Sequence, residues 1–165
     1  MENELKYFNY DTPYFSLNGI NTFARVVNVI DGDTISLILP LFDKYFKFHV
    51  RINGIDTCEV HSDDKEIKDK GLKAKYRVIE LLSKKDIKDI LCITRKQIIE
   101  LFNNFVCVIW VECLEFDKYG RLLANVFIND KTKSIANILI DEKLAYKYDG
   151  SKKLTEEQQK QEIIS

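Results

Sequence analysis

Apolar and polar residues alternate along the first third of the chain. From Phe23 the pattern reads as a strand through Ile30, breaks at Asp31-Gly32-Asp33, and resumes from Thr34 to Pro40, as a hairpin around a glycine turn does. In "FKFHVRIN", Phe46, Phe48, Val50 and Ile52 alternate with Lys47, His49, Arg51 and Asn53. A period of two therefore places Arg51 on the face opposite the core, toward solvent or a cleft. The period then lengthens. Ile67, Leu72, Tyr76, Ile79 and Leu82 recur at helical spacing behind Asp63 and Glu66, which stand in the relation of a capping box, with Gly71 the weak point of that helix. Thr94 and Gln97 repeat the capping relation ahead of a second amphipathic segment. "VCVIWVECLEF", the turn "DKYG" and "RLLANVFI" predict a second hairpin. "SIANILIDEKLAYKYDG" reads as a short helix after a loop, and residues 1–20, with Pro13 and Gly19 among aromatics, as an irregular arm.

Five short strands with a helix inserted after the third suit a small oligonucleotide-binding-type (OB-fold) β-barrel, an α+β architecture whose closure removes exposed sheet edges. At 165 residues one domain is expected, running over 21–153 between the arm at 1–20 and a polar tail or helix at 154–165. With 25 Lys and Arg against 26 Asp and Glu, no global field recruits a polyanion, so nucleic-acid binding must rest on a local basic cleft or a bound cation. Cys58, Cys92, Cys107 and Cys113 form no CxxC pair, and His49 and His61 lack zinc-finger spacing from them. That argues against structural zinc and suits a reducing compartment. The acidic N-terminus lacks the features of a signal peptide, and no apolar stretch approaches the length of a membrane span. An intracellular, cytoplasmic protein without a membrane partner is expected.

The stretch "RINGIDTCEV", Arg51 to Val60, puts an arginine, an aspartate, a threonine and a glutamate around a glycine break. Phosphodiester cleavage needs such a set, because the transition state gathers charge on oxygens that already repel a nucleophile. Fixed positive charge can come from a hard divalent cation held by oxygen ligands and from guanidinium forks on the phosphate. A carboxylate or imidazole must also take a proton from the attacking water. Asp33, in the turn "DGDT", completes a metal site if the first turn folds beside the end of the third strand. Each piece has a plain alternative: Asp-Gly is a common hairpin turn, and Asp56 and Glu59 could simply complement a helix dipole. Their joint occurrence in this order, each at a turn or strand end, favours chemistry.

The ordered set "VIDGDT", "VRINGIDTCE", "GLKAK", "FDKYGRLLA" and "LAYKY" resembles the staphylococcal nuclease-like, or thermonuclease, family from about Phe23 to Lys152. The resemblance implies a calcium-dependent nuclease on DNA and RNA that leaves 3′-phosphates. It also implies roles. Asp33 and Asp56 would ligate Ca2+ by side chain and Thr57 by its carbonyl, Glu59 would be the general base, and Arg51 and Arg121 would clamp the scissile phosphate. Tyr119, Tyr146 and Tyr148 are candidates for contact with nucleic acid, single-stranded by preference, and the chain is expected to act as a monomer. Cys58 stands where the family usually has proline, which predicts a more flexible metal loop. The connection between Lys84 and Val106 is longer than the family's simplest form. The rival reading is a non-catalytic module of the same fold that only binds nucleic acid or protein.

Overall fold

Five strands close the barrel that the alternation predicts, in a computed structural model that describes residues 2–86, 93–128 and 132–164. A one-turn helix α1 (Glu2–Leu5) precedes β1 (Asn21–Val29), β2 (Thr34–Leu41), β3 (Lys44–Ile52) and a two-residue strand β4 (Ile55–Asp56). Helices α2 (Lys65–Ser83) and α3 (Arg95–Asn104) come next, then β5 (Val108–Phe116) and β6 (Leu122–Phe127). The chain ends with α4 (Ile135–Asp141), β7 (Tyr146–Lys147) and α5 (Glu156–Gln159), which runs on as a π-type turn over Lys160–Ile164. The barrel order is β1-β2-β3-β6-β5, closed by β1 against β5, with every pairing antiparallel except β3 with β6. Among the described residues no helix is long and apolar enough to cross a membrane.

Alternation explains the core. Val26, Ile35, Leu37, Val50, Val111 and Val126 point inward and are fully buried. The pattern overstates β3, whose outer half projects past the core: Phe46 is exposed and Phe48 only half-buried. Arg51 lies on the face opposite Val50 and Ile52 as its register requires, yet only 5% of it is accessible, because Asp33, Asp56 and the Tyr148 ring lie against it.

Helix α2 is capped by Asp64, not by Asp63 as expected. The Asp64 carboxylate accepts from the backbone N–H of Glu66 and of Ile67, so the cap falls one residue later than the capping-box spacing predicts. The Thr94 and Gln97 box on α3 forms as expected, both side chains bonding the partner's backbone. Gly71 is buried in α2 because the helix crosses the backbone after β4 there; a Cβ at this position would sit 2.4 Å from the Cys58 carbonyl oxygen. Gly32 repeats the device, where a Cβ would lie 2.7 Å from that of Ala74. Small residues thus let α2 lie directly on both loops at this end of the barrel.

Candidate active site

The loops at that end carry the predicted chemistry. Asp33 sits in the β1–β2 turn and its carbonyl accepts from the Ile52 N–H at 2.8 Å, which ties the turn to the end of β3. Thr34 is the register partner of Arg51. Ladder geometry therefore brings Asp33 and Arg51 together, and β4, three residues further on, delivers Asp56. The Arg51 fork lies between the two carboxylates, Nη1 2.7 Å from Asp33 Oδ2 and Nη2 donating to Asp56 Oδ1 at 2.6 Å. The Asp33 contact is an ion pair without hydrogen-bond alignment.

Asp33 is held from several sides. Thr34 Oγ1 donates to its Oδ1 at 2.8 Å, and the Thr57 N–H and hydroxyl approach its Oδ2 at 3.3 and 3.4 Å. Burial pushes its carboxyl above the usual aspartate range, Asp31 pushes the same way, and Arg51 pulls against both. Asp56 is also raised by burial, opposed by the Tyr146 phenol, Lys153 and Arg51. In both cases burial is the largest cause, so it is water, more than counter-charge, that these two carboxylates lack.

Arg121 arrives from the second hairpin. Asp117 organises its turn, accepting from the backbone N–H of Tyr119 and of Arg121, both at 2.9 Å, and from Arg121 Nε at 2.7 Å. The free end of the guanidinium reaches Thr34 Oγ1 at 3.4 Å, so Arg121 meets Asp33 through one hydroxyl. A cavity of about 100 Å3 joins Asp33, Arg51, Thr57, Glu59 and Arg121. Asp56 stands behind it, linked through Arg51.

The three tyrosines take different places. Tyr119 is exposed on the rim with its ring centre 5.6 Å from Arg121 Cζ. Tyr148 is half-buried, its ring centre 5.6 Å from Arg51 Cζ and its N–H bonded to the Gly54 carbonyl. Tyr146 lies beneath the site rather than on it, 3% accessible, with its hydroxyl donated to Asp56 Oδ2. Burial, then that bond, pushes the phenol far above its ordinary value. The β4–β7 ladder pairs Asp56 with Tyr146 directly, and two-residue strands leave no periodic signal.

Lys153 was missed by the motif reading. Its ammonium lies 2.9 Å from Glu59 Oε1 and 3.2 Å from Asp56 Oδ1. Burial lowers its pKa, but the two carboxylates outweigh burial and the net direction is upward. The segment bearing it is anchored further on: Ser62 Oγ donates to Glu156 at 2.5 Å, Lys160 pairs with Asp64 and Glu66, and Ile163 is buried. Cys58, beside Thr57, has its thiol pushed up to about 11 by burial, which suits packing and not nucleophilic attack.

Calcium takes six to eight oxygen ligands, many of them carbonyls or water. Among the described residues no group of three or more His, Cys, Asp and Glu side chains could hold a metal. The two buried carboxylates flanked by the Thr57 backbone are nonetheless an all-oxygen set of hard, anionic donors. That chemistry fits calcium with backbone and water completing the shell.

This barrel and its loop-borne cluster define the class. The family model described as "Staphylococcal nuclease homologue" matches residues 49–164, and the chain belongs to that family. It is also 30% identical over 129 residues to the uncharacterized protein MJ1439 of Methanocaldococcus jannaschii. The match covers 68% of this chain and 52% of that one, so the chain spans about half the length of the curated relative it matches.

Proposed function

We propose that the protein is a calcium-dependent nuclease that hydrolyses phosphodiester bonds of DNA and RNA and leaves 3′-phosphates. Family membership and one observation support the reading: two arginines from different hairpins converge on Asp33 around a cavity that Glu59 also lines. Arg51 and Arg121 would hold the scissile phosphate and neutralise the charge that grows on its oxygens. Glu59, whose side chain is 66% accessible, would take the proton of the attacking water. Asp33, Asp56 and the Thr57 carbonyl would hold calcium, which when bound supplies Lewis-acid stabilisation of the phosphate. Tyr146 would fix Asp56 through its hydroxyl, and Tyr148 and Tyr119 would border the strand. We assign the activity to residues 21–153 acting as a monomer on single-stranded nucleic acid, with 1–20 as an arm and 154–165 as a docked tail.

A binding-only module is the second reading, and the 2.9 Å pair of Lys153 with Glu59 favours it, because a base engaged by an ammonium is less ready to take a proton. One experiment separates them. Single-stranded DNA or RNA is incubated with calcium or with chelator, beside Glu59→Gln. Cutting that needs calcium and falls by two or more powers of ten in the variant is expected for the nuclease. Tight binding without cutting establishes the module instead.

A further inference from the structure

A second polar cavity, of about 350 Å3, lies on the outer wall of the barrel under α3, and the proposed nuclease chemistry uses none of it. Strand register builds its floor. Asn28 of β1 pairs with Ser36 of β2, and Ser36 pairs with His49 of β3, so the three form one row across the outer face. Asn28 reaches that face only through a β-bulge, since the register shifts between Val26 and Asn28 and strict alternation would carry Asn28 to the inner face of Val26. Bulges of this kind re-aim side chains beside functional sites.

The floor is polar, buried and incompletely satisfied. Asn28 is 5% accessible, and its amide oxygen has no hydrogen-bond partner. Ser36 is buried too, and its hydroxyl lies 3.1 Å from His49 Nδ1 in a hydrogen bond. A buried acceptor left without a donor forfeits its hydration without replacement, so such groups in native proteins call for an explanation. The walls are apolar, made by Val27, Ile38 and Ile99, and the rim carries Lys47 and Arg95 with no carboxylate among the lining residues. Neither rim cation has an ion-pair partner among the described residues. An acceptor at the bottom, flat branched aliphatic walls and two cations at the mouth describe a slot for a planar hydrogen-bonding ring attached to an anion.

We infer that the helix α3 inserted between Lys84 and Val106 forms, with β1–β3, an accessory site for one nucleotide, its base donating to Asn28 and its phosphate meeting Lys47 and Arg95. The nucleotide is either free or one unit of a bound strand. The chain has two histidines, and one of them is on this rim, so His61→Gln leaves the His49 imidazole as a single local proton NMR reporter. Adenosine 5′-monophosphate, inorganic phosphate and a phosphorothioate oligoadenylate are titrated in turn into that protein. A saturable shift of the His49 signal is expected with the monophosphate or the oligonucleotide, and the tighter of the two names the source. Arg95→Glu and Lys47→Glu, both at exposed positions, should weaken it at least tenfold, and Asn28→Leu should bring the monophosphate down to the affinity of inorganic phosphate. A His49 signal that does not move, unchanged affinity in both charge variants, or phosphate binding as tightly as the nucleotide would each overturn the assignment.

Discussion

Replacing Gly71 with alanine sets two effects of known sign against each other. In an exposed helix the change stabilises by about 1 kcal/mol, because glycine is the poorer helix former. Here the added Cβ would stand 2.4 Å from the Cys58 carbonyl oxygen, 3.0 Å from its carbon and 3.2 Å from the Glu59 carbonyl carbon. The first distance falls about 1 Å short of the roughly 3.5 Å at which non-bonded heavy atoms are most comfortable. All three obstacles are backbone, so no rotamer change relieves them; helix or loop must move. Overpacking of this kind costs roughly 1–3 kcal/mol, enough to cancel the helix gain and leave a net loss of about 1 kcal/mol. Activity should suffer more than stability, because the displaced backbone joins Thr57 to Glu59 and a misplacement near 1 Å costs about a hundredfold in rate. Urea unfolding and calcium-dependent turnover of single-stranded DNA measure the two. If Gly71→Ala proves more stable than wild type with unchanged turnover, the contact between α2 and this loop does not position the site.

Arg51→Met leaves two buried carboxylates without the fork that now lies 2.7 and 2.6 Å from them, and should destabilise by about 3–5 kcal/mol in urea melts with chelator present; adding Asp33→Asn should restore part of it, and a loss below about 1 kcal/mol would mean that the pair contributes nothing. Lys153→Met takes one positive charge from beside Asp56 and Glu59 and should tighten calcium about tenfold by calorimetry, equivalent to ~1.4 kcal/mol; equal or weaker binding would show that the lysine does not oppose the ion. Burial pushes the thiols of Cys107 and Cys113 up from an ordinary 9.0 to about 11, so above pH 9 the unfolded chain loses these protons first. Their contribution is intact below pH 9 and disappears as pH rises through 11, an effect of roughly 2–3 kcal/mol per thiol; denaturation from pH 8 to 11 should fall less steeply for Cys107→Ala/Cys113→Ala than for wild type, and parallel curves would refute it.

The strands were legible because burial on one side imposes a period of two, and both hairpin turns carry their Asp and Gly in the chain itself. Asp33, Arg51, Thr57, Glu59 and Arg121 could be gathered from short motifs for the same reason, since each sits at a turn or strand end. What escaped was set by contacts across the fold. Period alone put Arg51 on the outer face of β3 but could not show that the face is covered. Gly71 looked like a flaw in a helix until the approach of the Cys58 carbonyl gave it a purpose. Tyr146 was read as a candidate for contact with nucleic acid, although its two-residue pairing with β4 turns the phenol inward onto Asp56. Cys92 and its neighbours at 87–92 lie outside the described residues.

Lys153 marks the deeper limit, and it changes how the charge of the site is understood. Three acids, Asp33, Asp56 and Glu59, face Arg51 and Lys153, while Arg121 leans on Asp117. Asp31 lines the same cavity, so with Asp117 five acids meet three cations and the cluster is net negative, in a chain whose formal charge is −1. Such a site exerts no pull on a polyanion at a distance beyond a Debye length of about 8–10 Å. Binding of a phosphate must then proceed by exchange at contact, with the backbone anion taking guanidinium bonds that Asp56 and Asp117 now hold. Such exchange favours ligands that present several phosphates in sequence over a single free ion, because each broken internal pair has to be replaced. Long single strands should therefore outcompete inorganic phosphate by far more than their local concentration of phosphate explains.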